Sequence, residues 1–139
     1  MSFSSISIVG VVLATLAAFA FNFVYFGPIG VFRMWWRAIG KTDDDVPGAG
    51  MNMPVVFGST LAALVVEAVA IAAVLGGLHD AASIGQGAAL GLVVGIGVAA
   101  TSSLGHRLFA GQGFTVWALE VGADIAVGVI MGVVLAAIG

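Results

Sequence analysis

The sequence predicts an all-α fold: a polytopic membrane protein built as a four-helix transmembrane bundle, with a short interfacial helix after span one. Three observations carry this expectation. Of 139 residues, 61% are hydrophobic and 8% are charged, against about 25% charged in a soluble domain. A domain of this size leaves much of its surface exposed, so the solvent for so much apolar surface must be lipid. The apolar residues also gather into four long runs, each near the ~20 residues needed to cross a ~30 Å hydrocarbon core. None shows the alternation of a barrel strand, which needs only ~9–11 residues.

The expected spans are about 6–26, 54–78, 83–104 and 115–138, in one integral membrane domain of residues 1–139. Ala18-Phe19-Ala20 resembles a signal-peptide cleavage site, but no Lys or Arg precedes the apolar run. Span one is therefore read as a retained helix. Asn52 and Pro54 mark the start of span two, where a missing N–H costs nothing. Gly76-Gly77 ends it. Ser83 followed by Gln86 reads as a capping box for span three. Gly111, Gln112 and Gly113 form a turn before span four. Short connections make spans two, three and four antiparallel neighbours.

Orientation follows from the basic residues. Arg33, Arg37 and Lys41 lie in loop one and Arg107 in loop three. Those loops are expected to be cytoplasmic, with both termini outside, in a bacterial inner or cell membrane. Acidic residues such as Asp43, Asp44 and Asp45 count little in this rule.

Loop one reads as two parts. Residues 28–40 form the interfacial helix, whose Phe32, Trp35, Trp36 and Ile39 dip into the headgroup boundary. Arg33, Arg37 and Lys41 form a basic stripe four residues apart, an anchor or a site for anionic lipid. Residues 41–50 are polar and rich in acidic residues, and are expected to be mobile.

Three carboxylates fall inside the spans: Glu67, Glu120 and Asp124. A charge at the bilayer centre costs about 2.5–3.5 kcal/mol on insertion scales, which makes each a functional candidate. No Lys or Arg falls inside a predicted span, so all three are expected to be unpaired. At 1.5 Å rise per residue, Glu67 and Asp124 lie at about 15 Å depth, near the midplane. Glu120 lies one turn nearer the cytoplasm, on the same helix face as Asp124. With Asn22 and Thr101 they could line a polar crevice that opens inward. Neutral, they are hydrogen-bonding glue between helices; ionised, they hold a cation or pass protons.

The remaining polar residues point less sharply. His106-Arg107, after Ser102-Ser103, could meet a phosphate-bearing headgroup or anion, or simply anchor the interface. His79-Asp80 in the outer loop supplies too few ligands for a metal. The chain has no cysteine, which excludes disulfides and thiolate sites. No metal and no cofactor are expected. Four basic residues make no nucleic-acid footprint.

Small residues form two stripes. Ser83, Gly87, Gly91, Gly95, Ala99 and Ser103 recur every fourth residue in span three. Asp124, Gly128, Gly132 and Ala136 do so in span four. Such faces let helix backbones approach closely, within one chain or between subunits of an oligomer.

Tyr25-Phe26-Gly27-Pro28 followed by Trp35-Trp36 resembles the first-helix exit of the "domain of unknown function 1761" family. Ser103-Leu104-Gly105-His106-Arg107-Leu108-Phe109 and Glu120-x-Gly122 resemble its third loop and fourth helix. The resemblance covers nearly the whole chain. It implies a bacterial four-span membrane protein and no particular activity. The family pattern places a carboxylate at Glu120 and an aromatic-histidine pair after the glycine. This chain has Ala123 and Asp124 there, so a role for that histidine does not carry over.

Three functions remain open. The first is binding or moving a proton, cation or small solute at the carboxylates. The second is a non-catalytic subunit of a homo-oligomer or larger membrane complex. The third is a lipid-acting enzyme at His106 and Arg107, although no nucleophile or substrate pocket is evident in the sequence.

Overall fold

The computed structural model describes residues 5–78 and 82–139; His79 and Asp80 lie outside the described residues. The described residues contain helices and turns and no strand. Helix α1 is Ile8–Tyr25, α2 is Phe32–Ala38 and α3 is Met53–Leu75. Helix α4 is Ile84–Val94, followed by a π-helical segment Gly95–Ala100, then α5 Thr101–Phe109 and α6 Gly113–Ile138. The stretch Ile84–Phe109 is one continuous rod. With α1, α3 and α6 it makes four helices long and apolar enough to cross a membrane.

The helix starts are those the side chains dictate. Ser7 caps α1 by accepting the Gly10 N–H at 3.1 Å. Asn52 caps α3 through the Val55 N–H, with Pro54 in the first turn. Ser83 and Gln86 bond reciprocally, completing the expected capping box. Gly76 ends α3. Gly111 and Gly113 take left-handed φ values of 73° and 81°, which lets the chain reverse between α5 and α6 in three residues.

Helix α6 is the centre of the bundle and packs against every other span. The core joins Ala14 and Ala18 of α1, Leu64, Ala68 and Ile71 of α3, and Val127, Met131 and Leu135 of α6. Spans two and three barely touch despite their short connection, which corrects the expectation of neighbours. Close approach to α6 draws α4 away from α3. Gly87 lies against the backbone of Gly132, and Gly91 against that of Gly128. Gly95 meets Ile125. A Cβ at Gly87 or Gly91 would collide with backbone, so both stripes are used within the chain, against each other. Outward faces carry apolar side chains such as Ile8, Val66 and Val93, as lipid contact requires.

Two expectations for the connections are corrected. Span three extends past Leu104 to Phe109, so Arg107 belongs to a helix and not to a loop. The interfacial helix is only Phe32–Ala38, and Gly40 at φ 84° turns the chain, so Lys41 leaves the basic stripe. Of its aromatics, Trp36 packs inward, while Phe32 and Trp35 are partly exposed. Trp36 is buried, stacks on Phe32 and donates its indole N–H to the Thr42 carbonyl at 2.9 Å. Residues 41–50, the polar acidic segment, contain successive turns, the first closed by Asp45 on Thr42.

Candidate functional site

The ends of α1, α3, α5 and α6 on the loop-one and loop-three side surround an open cavity of ≈ 600 Å³. Its polar lining comes from Asn22 of α1, Thr60 of α3, Arg107 of α5, and Glu120 and Asp124 of α6. Phe19, Phe23, Phe26 and Phe57 supply much of the apolar wall. Phe19 and Phe57 meet edge to face at 6.5 Å across α1 and α3.

Glu120 is held from two sides. Trp35 of α2 donates its indole N–H to Oε1 at 3.1 Å. Arg107 forms an ion pair with Oε2, and its Nη1 donates to Gln112 Oε1 at 3.0 Å. This corrects the expectation of three unpaired carboxylates. The helical extension to Phe109 swings Arg107 over the first turns of α6. Tyr25 adds a second tie by donating to the Leu119 carbonyl at 2.9 Å. Gly122 makes room for that phenol, since a Cβ there would lie 3.0 Å from its oxygen. Tyr25, Trp35, Arg107, Glu120 and Gly122, drawn from the stretches that carry the family resemblance, thus meet at one corner of the bundle.

Asp124 lies one turn deeper on the same α6 face and has no hydrogen-bond or ion-pair partner among the described residues. Its carboxyl is within electrostatic reach of Glu120 and Arg107, and of Glu67 on α3. Glu67 is half-buried and does not line the cavity. No three His, Cys, Asp or Glu side chains among the described residues gather closely enough to hold a metal ion. The acidic groups are divided between two helices, Glu67 on α3 and Glu120 and Asp124 on α6.

Other candidates do not join the site. Thr101 is exposed on α5 and donates back to the Gly97 carbonyl at 2.8 Å, so it is no part of the crevice. His106 is exposed and does not line the cavity. Arg33 and Arg37 are exposed on α2, the latter 4.0 Å from Asp43, and neither joins Arg107 in an anion site. Asn22 is placed as expected.

Sequence reasoning missed Trp35, Gln112, Thr60 and the four phenylalanines. Gln112, five residues beyond Arg107 in a Gly-bounded turn, carried a usable signal, as did the need of a Trp35 indole N–H for an acceptor. The phenylalanines look like any lipid-facing side chain until the helices are assembled.

A central apolar helix packed against three others, with all four Lys and Arg at one end, defines a polytopic four-helix membrane bundle with a largely apolar cavity edged by charged groups. The model of the family described as "Protein of unknown function (DUF1761)" matches residues 9–136, and the chain belongs to that family. No curated protein and no solved structure matches.

Proposed function

We propose that this protein binds, and passes across the membrane, a proton, cation or small cationic solute at the cavity beside Asp124. The observation that carries this reading is an intramembrane carboxyl group that lines a roomy cavity while its neighbour Glu120 is already matched by Arg107. A carboxyl group used as glue would be expected to bond across helices. Asp124 instead lines open space, and Glu67 on α3 is a second acidic group within electrostatic reach. The cavity opens at the end bearing all four Lys and Arg residues, the end assigned to the cytoplasm by the positive-inside rule.

The test is flux into liposomes containing purified protein, read with proton- and cation-sensitive dyes. Parent protein should conduct or exchange, and Asp124→Asn should lose that activity with its thermal unfolding unchanged. Equal flux from parent and Asp124→Asn sinks the role of Asp124; no flux with any ion tested leaves binding alone.

A further inference from the structure

We propose that the cavity takes an amphipathic organic cation, a positively charged head on a bulky apolar body, with Asp124 as its charge partner and the Phe19, Phe23, Phe26 and Phe57 walls as its apolar seat. This rests on the reading of the cavity as a solute site and names the chemical class of the solute.

The charge balance selects a cation. Arg107 is the one basic side chain lining the cavity, and its Nε and Nη1 already serve Glu120 and Gln112. Asp124 is left over, with Glu67 close enough for their charges to interact. An anion would meet this acidic excess with no free donor fork to repay its desolvation.

The geometry selects an organic cation over a bare metal ion. A hard divalent cation such as calcium needs about 6–8 oxygen ligands at close range. The acidic groups here are spread along two helices and do not converge as a metal set. An organic cation is weakly hydrated and needs only one carboxylate nearby. Its apolar body gains from leaving water, and aromatic faces attract its charge. The volume of ≈ 600 Å³ lies within the range of small-molecule sites, about 300–1,000 Å³. Thr60 and Asn22 add polar edges that bear no charge.

The experiment measures binding of tetraphenylphosphonium, a permanent apolar cation, to purified protein in nanodiscs by equilibrium dialysis. Neutral triphenylphosphine oxide is the control for partition into lipid. Saturable binding of the phosphonium alone is expected, weakened about tenfold or more by Asp124→Asn, as for loss of a partly desolvated charge partner. Phe57→Ala, at the open edge of α3, should weaken it severalfold while thermal unfolding stays that of the parent. Phosphonium binding that is absent, or equal in parent and Asp124→Asn, overturns the ligand class. If liposome flux still depends on Asp124 in that case, the reading of the site stands and only the solute is wrong. If flux is also indifferent to Asp124, both fall.

Discussion

Arg107 of α5 and Glu120 of α6 pair across the turn that joins their helices, and Trp35 of α2 closes on the same carboxylate. Two helices adjacent in sequence and a third segment far from both thus meet at one group. The Arg107 side chain is 39% exposed and that of Glu120 is 20% exposed. The pair is therefore only partly dry, and its worth lies between that of a surface bridge and that of a buried one.

Removing one partner strands the other. Arg107→Ala should destabilise the protein by about 1–3 kcal/mol, discounted from the fully buried case for this exposure. Glu120→Gln should cost less, because the amide still accepts from Trp35. The two changes together should cost less than their sum. Thermal unfolding in detergent of the parent, both single variants and the double variant measures the coupling; strict additivity would mean the pair contributes nothing.

The glycine contacts predict a sharp contrast along one helix. Gly91→Leu should disrupt packing of α4 on α6, since even a Cβ there meets the Gly128 backbone. Gly97→Ala, three residues beyond Val94, has nothing within 4 Å and should be nearly silent. Equal melting temperatures for the two variants would refute the packing described for α4 and α6.

The π-helical segment predicts a cost for a single indole. A π turn shifts the backbone ladder from its usual partners, and the Ala100 carbonyl is met by the Trp117 N–H at 2.9 Å. Trp117→Phe keeps a ring and loses the donor, which should cost about 1–2 kcal/mol. Hydrogen exchange should quicken at residues 95–104. Unchanged protection there would show that the indole does not hold the segment.

Orientation is open to a direct measurement. Reporter fusions at Gly139 and Asp44 should report opposite sides, with Asp44 cytoplasmic, because every Lys and Arg sits at the loop-one and loop-three end. A cytoplasmic Gly139 would reverse the topology.

Outside the membrane, Asp45 accepts from the Thr42 backbone N–H at 2.7 Å and from its hydroxyl at 3.0 Å. These bonds hold its carboxyl below the ordinary value, with a smaller contribution from Lys41. A depressed folded value stabilises the turn above the unfolded pKa, about 3.9. That contribution fades as pH falls through the folded value. Carboxyl NMR should show the Asp45 midpoint rising in Thr42→Ala; an unmoved midpoint would remove the hydroxyl from the account.

The capping residues Ser83 and Gln86, the two glycine stripes and the four spans were all legible in the sequence. Each depends on neighbours within a turn or two of helix, or on the affinity of a 20-residue run for lipid. The pairing of Arg107 with Glu120 was not legible, because it turns on span three running five residues beyond Leu104. Those residues, Gly105 to Phe109, are polar enough to read as a loop. The burial of Trp36 was hidden for a related reason: an aromatic next to basic residues has the same composition at a headgroup boundary as in a bundle corner.

By itself, the sequence determined that the chain lives in lipid, that it crosses four times, and which helix faces are smooth enough to touch. Hydrophobic transfer and helix formation are local and set by composition. Only the tertiary structure decided that α6 stands at the centre, that Glu120 is matched while Asp124 is not, and that four phenylalanines share a cavity with them. Such relationships depend on how each helix is rotated about its axis and how far it is shifted along its neighbour. Those choices are made by glycine backbones meeting across the bundle, at separations of tens of residues.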